Sequence, residues 1–190
     1  MIRLAAILLS LMLLQGCAGL IVAGVVGGAV MLNDERPLKT QLDDTDADFT
    51  ISAALAKHQD IKSQTHIRAI TVNRKVLVIG QAPNERLKDK VIRVINELKL
   101  SDKIYNQIRI GTSTSFGTRS NDTWITTKVK GRMLNTDGLD ITRIKVVTEN
   151  SEVFLLGVIN ENQADIAADI ARFTSGVRRV IKVFESSKSN

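Results

Sequence analysis

A chain of 190 residues is long enough for one ordinary domain or two small ones, and 44% hydrophobic against 24% charged residues exclude a compositionally disordered protein. With aromatics at 4%, any core must be built mostly from Ile, Val, Leu and Ala. The formal charge of +6 points to an anionic partner but is unevenly spread: residues 46–110 hold 12 Lys and Arg against 7 Asp and Glu, whereas residues 121–185 hold 9 of each.

Arg3 and an apolar run over residues 4–14, broken only by Ser10, lead to Gly16 and to Cys17, the only cysteine. The run is too short to cross about 30 Å of hydrocarbon as a helix, and a lone cysteine excludes an internal disulfide. The segment resembles a bacterial lipoprotein signal, cut after a small residue and before the cysteine. That resemblance implies removal of residues 1–16, a diacylglycerol and an N-acyl chain on Cys17, and no other cofactor. Ala18 in place of Asp after the cysteine implies, by the same resemblance, sorting to the outer membrane on its periplasmic side. The competing reading is an uncleaved anchor that joins this run to the second apolar stretch over residues 18–32. Gln15, Gly16 and the glycines that follow argue against a stable helix there.

Residues 17–45 then read as the lipidated terminus and a linker. The polar stretch 33–45 contains Pro37, and Asp43, Asp44 and Asp46 offer caps for a helix starting just after them.

From there the chain repeats itself with a period of about 75 residues. Residues 67–80, ending Val76-Leu77-Val78-Ile79-Gly80, align without a gap with residues 144–157, ending Val153-Phe154-Leu155-Leu156-Gly157. Each copy is a β-rich run, a polar turn containing Asn73 or Asn150, and a second β-rich run closed by a glycine that permits a sharp exit, which predicts a hairpin. A helical pattern precedes each hairpin (Ile51 and Leu55; Ile125, Val129 and Met133) and another follows it (Leu87, Val91, Val94; Ala164, Ala167, Ala171). A short alternating strand ends each copy, with Ile104, Asn106 and Ile108 matching Val180, Lys182 and Phe184. Three strands with one apolar face need helices laid on it, so each copy is expected to be a two-layer domain of order helix, strand, strand, helix, strand. The copies span residues 46–114 and 121–185, with a linker over 115–120 and a tail over 186–190.

The strand ends, the closing segments Asp102-Lys103-Ile104-Tyr105-Asn106 and Gly176-Val177-Arg178-Arg179-Val180, and the segment around Trp124 resemble the BON domain over nearly the whole chain. The resemblance, taken with the lipoprotein signal, implies an α+β protein of two tandem αββαβ sandwich domains. It further implies a non-enzymatic envelope protein that binds anionic, phosphatidylglycerol-like phospholipid, gathers at division sites and supports outer-membrane integrity. Export argues against a nucleic-acid partner for the basic first copy.

Catalytic and metal-binding chemistry finds little support. His58 and His66 stand eight apart, on no common helical face, and no Cys/His cluster, paired carboxylates or glycine-rich nucleotide loop is present. The first helix of the second copy is different. At ~100° per residue, Ile125, Val129 and Met133 form its buried stripe, while Trp124, Thr127, Lys128, Gly131 and Leu134 lie away from it. A tryptophan aimed outward and flanked by Lys128, Lys130 and Arg132 suits a lipid interface, the indole at headgroup depth and the cations on anionic lipid. Trp124, Thr127, Lys128, Lys130, Gly131, Arg132, Leu134 and Asn135 are therefore the candidate phospholipid-binding residues. Two other readings compete: Trp124 is covered by the other copy or by the linker, or it is a hot spot for a protein partner such as outer-membrane assembly machinery.

Overall fold

A computed structural model describes residues 38–186. The expected signal peptide and Cys17 with its acyl chains lie outside the described residues. Helix α1 (Leu38–Ala56) and the short α2 (Gln59–Gln64) lead into strands β1 (His66–Val72) and β2 (Lys75–Ala82), helix α3 (Glu85–Glu97) and β3 (Lys103–Ile110). The order then recurs as α4 (Phe116–Leu134), a 3-10 turn (Ile141–Arg143), β4 (Ile144–Glu149), β5 (Glu152–Ile159), α5 (Glu161–Arg172) and β6 (Arg179–Ser186). In each three-stranded sheet the central strand runs antiparallel to its hairpin partner and parallel to the third strand, so the chain is two tandem α+β modules.

The expected linkers are shorter than their sequence suggests. Residues 38–45 belong to α1, and residues 116–120 belong to α4, whose N-cap Ser115 accepts from the Thr118 N–H at 3.2 Å. Ser186, placed in the tail by sequence, is the last residue of β6.

Asp44 is not a cap for a later helix. It sits inside α1, is 6% exposed, and accepts the N–H groups of Asn73 at 2.7 Å and Arg74 at 3.0 Å. Those two turn residues have φ of 51° and 60°, the left-handed pair of a two-residue hairpin turn, whose N–H groups would otherwise be unmet. Asp122 in α4 does the same for Asn150 and Ser151, at 2.7 and 2.8 Å. One carboxylate per module thus ties the first helix to the hairpin. In the first module the turn is also tied to the strand-3 side by the Arg74 guanidinium. Its fork on Asp102 holds that carboxyl below the usual carboxylate range.

Gly80 and Gly157 do not end their strands, as the sequence suggested, but lie within them. Their φ values are +122° and +155°, and a Cβ would stand 1.8 Å from the His66 carbonyl oxygen or 2.1 Å from that of Arg143. The bare backbone lets the neighbouring strand approach, which a side chain would prevent.

Alternate residues of each central strand face opposite ways. Val76 and Val78 pack under α1 and α3, and Val153 and Leu155 under α4 and α5, giving each module its own core. Leu77, Ile79, Phe154 and Leu156 point the other way and meet in a third core with Ile70, Val72 and Val147. The two sheets therefore pack on each other with their helices outside, four layers in place of two separate two-layer units. Buried Gln81 fastens the seam: its Nε2 donates to Glu149 Oε1 at 2.8 Å, and its Oε1 accepts from the Thr114 N–H at 3.2 Å.

Ion pairs at the rim of this seam are charge-swapped. Lys75 and Glu152 open equivalent strands, and Arg109 and Glu185 hold equivalent places one residue before the ends of β3 and β6. Lys75 pairs with Glu185, and Arg109 with Glu152 at 3.0 Å. The first sheet supplies both cations and the second both carboxylates, so a first–first or second–second pairing would oppose like charges. Reversing one partner, Lys75→Glu or Glu185→Lys, is expected to lower stability by about 1–2 kcal/mol, and the double reversal to recover most of it, since the pair is only partly exposed. Urea denaturation of the four proteins in this cycle measures the coupling; additive losses would show that the pair does not discriminate.

Candidate functional site

Helix α4 buries Ile125, Val129 and Met133 completely, which turns its opposite side outward. Trp124 is 61% exposed, so the reading in which the other module covers it is excluded. Lys128 Nζ stands 6.0 Å from the centroid of its ring, at the outer limit of a cation–π contact. Thr127, Gly131, Leu134 and Asn135 are all exposed, and Asn135 closes the helix by donating from Nδ2 to the Gly131 carbonyl at 3.0 Å. Around Gly131 nothing lies within 4 Å of where a Cβ would be. A mid-helix glycine with open space costs roughly 0.5–1 kcal/mol relative to alanine, and no packing contact accounts for it. It leaves bare backbone on the Trp124 side.

The three cations expected together are divided by the fold. Lys128 donates to the Ser175 carbonyl. Arg132 donates from Nη1 to the Phe173 carbonyl at 2.5 Å and to Thr174 Oγ1 at 3.1 Å, meeting carbonyls at the C-terminal end of α5. Both remain near the surface, but each also holds the loop after α5 against α4. Lys130 makes no such bond and faces a different way, into a cleft between the modules. The loop brings in a residue that sequence reasoning missed: Phe173, 72% exposed, whose carbonyl rests on Arg132. It follows α5 at the point where the apolar stripe of that helix ends, and only the tertiary contact with Arg132 relates it to α4.

His58 and His66 take no part. His58 precedes α2 without a side-chain capping bond and His66 opens β1, and among the described residues no group of His, Cys, Asp and Glu could hold a metal ion. Nor is any helix among them long and apolar enough to cross a membrane. Because Arg132 carries backbone carbonyls and Lys130 does not, Arg132→Ala is expected to lower the stability of the protein by about 1–2 kcal/mol, with Lys130→Ala within about 0.5 kcal/mol of the parent. Thermal denaturation followed by circular dichroism separates them, and equal effects would contradict the division of roles.

The BON domain model matches residues 43–112 and 121–186. The outer membrane lipoprotein DolP of Haemophilus influenzae is 38% identical over 183 residues, covering 96% of this chain and 95% of that protein. A 21 kDa hemolysin of Actinobacillus pleuropneumoniae is 39% identical over 150 residues, 79% of this chain and 77% of its own. The osmotically-inducible protein Y of Escherichia coli is 28% identical over 144 residues, 73% of this chain and 70% of its own. These relatives carry the names of a lipoprotein, a hemolysin and an osmotically-inducible protein, and none of the three is named as an enzyme. The chain belongs to the BON domain family, in its two-module, outer-membrane lipoprotein form.

Proposed function

We propose that the protein is held in the outer membrane by acyl chains on Cys17, facing the periplasm, and that α4 makes a second contact with anionic, phosphatidylglycerol-like phospholipid. The observation that carries this reading is the exposure of Trp124 beside Lys128, with exposed Leu134 and the bare backbone of Gly131 on the same helix. An indole with a cation one turn away matches the depth profile of a bilayer surface, apolar ring inside and charge at the phosphates. Phe173, carried by the loop that Lys128 and Arg132 hold, adds apolar area next to them.

Several acyl chains on one cysteine already anchor firmly. A weak second contact then selects lipid rather than adding hold, because tethering makes even a millimolar site effective. Gathering where anionic lipid is dense would account for the division-site enrichment and the support of membrane integrity that family resemblance implies. The protein has no catalytic role in this reading.

The test uses vesicles with and without phosphatidylglycerol. Trp124 fluorescence of the full chain should shift to the blue only with the anionic lipid, and amide signals over residues 124–135 and of Phe173 should move with it. Trp124→Glu should abolish the amide shifts while leaving the fold intact by circular dichroism. Amide shifts elsewhere with α4 silent would overturn the assignment. A single dominant protein adduct on crosslinking from position 124 in cells would favour instead an adaptor that docks outer-membrane assembly machinery.

A further inference from the structure

The two modules are related by near-symmetry, and besides the charge-swapped rim the symmetry fails where α4 faces β1. Asp44 and Asp122 are equivalent, since each accepts both N–H groups of its hairpin turn. Four residues on, Asp48 in α1 is therefore matched by Thr126 in α4. On the strands, Arg68 and Lys145 are equivalent, each following the residue that pairs with an in-strand glycine.

On one side of the seam Lys145 reaches across to the other module. Its Nζ lies 3.6 Å from Asp48 Oδ2 and 3.5 Å from the Thr71 carbonyl oxygen. On the other side Arg68 faces the place where the matching carboxylate would be, and finds Thr126, whose hydroxyl is already bonded to Thr148 Oγ1 at 2.7 Å. The space left is a cleft of about 500 Å³ between β1 and α4, lined by His66, Arg68, Arg119, Thr126, Thr127 and Lys130 among others.

Its charge is unbalanced. Arg68 and Lys130 have no ion-pair or hydrogen-bond partner on their side chains among the described residues, and Arg119 has only one, from Nη1 to the Thr114 carbonyl at 2.8 Å. The carboxylates in the wall are committed, Asp122 to the turn N–H groups and Glu149 to Gln81. Three cations from two elements, Arg68 on β1 and Arg119 and Lys130 on α4, thus line the cleft where the symmetry has removed an anion.

We propose that this cleft binds a phosphate-class anion, a phosphate monoester or diester, in the place of the missing carboxylate. Two guanidinium groups and an ammonium, one from β1 and two from points eleven residues apart on α4, suit an ion with several acceptor oxygens around one centre better than a single planar carboxylate. The volume exceeds that of bare phosphate and admits a small attached group. The source is a lipid headgroup at the membrane surface or a free phosphate in the periplasm, and the chemistry is the same for both. The cleft shares Thr127 and Lys130 with the candidate lipid-binding residues but uses neither Trp124 nor Lys128, so Trp124→Glu protein separates it from the lipid contact proposed above.

The experiment is an NMR titration of the full-length protein in zwitterionic detergent, reading backbone amides and arginine Nε signals. Inorganic phosphate, against sodium chloride of matched ionic strength, should produce saturable shifts at Arg68, Thr126 and Lys130. Thr126→Asp supplies the carboxylate that the first module has in Asp48 and should abolish them. Arg68→Gln, on an exposed edge strand and safe for folding, should weaken them by roughly tenfold or more. A second arm adds phosphatidylglycerol bicelles to Trp124→Glu protein: cleft shifts there identify a lipid headgroup, and shifts with inorganic phosphate alone identify a free anion. Shifts no more localised than those of chloride in both arms, or undiminished in Thr126→Asp and Arg68→Gln, would overturn the proposal.

Discussion

The contact between the second faces of the two sheets is the constraint from which the rest of the molecule follows. Once Leu77 and Ile79 meet Phe154 and Leu156, both faces of both sheets are spent, and the helices can only lie outside. Helix α4 is then covered on one side by its own sheet and left bare on the other, which is why the single tryptophan is presented to solvent. The cleft lined by Arg68 and Lys130 belongs to the same arrangement, because it is a gap in the seam where two near-equivalent modules fail to match. The cation-bearing surface on both flanks of α4 thus derives from one apolar interface.

Much of this was legible in the residues. The repeat, the hairpins and the helical stripes are local patterns, and Ile125, Val129 and Met133 are buried where helical periodicity places them. The sheet contact was not read, although a trace of it is visible. Val76-Leu77-Val78-Ile79 and Val153-Phe154-Leu155-Leu156 are continuous apolar runs, and a strand with one solvated face would alternate. A short run of that kind signals burial on both sides without naming what covers the second. The linkers were misplaced for a different reason. Polar, Asp-rich and Ser-rich stretches look unstructured by composition, yet the aspartate at position 44 is spent on a turn far away in sequence, and Ser115 begins a helix.

At the site, the outward face of α4 could be drawn on a helical wheel, but the wheel treats every lysine and arginine on it alike. Their separation depends on neighbours distant in sequence: Lys128 and Arg132 meet the loop after α5, and Lys130 meets the first module. Phe173 entered for the same reason, by a contact between residues some forty apart that no local pattern encodes. Gly131 shows the converse case. Its spacing was plain, and its significance came only from the empty space around it, which removes any structural need for glycine there.

The carboxylate of Asp122 has a mechanical implication. It joins the middle of α4 to the turn at Asn150 and Ser151, and the next residue, Glu152, grips Arg109 of the first module. A helix seated on a bilayer would therefore not be a loose paddle at the end of a tether. Through two short charged links it is braced to the first module, so that the attitude of both modules relative to the membrane would follow how a single helix lies.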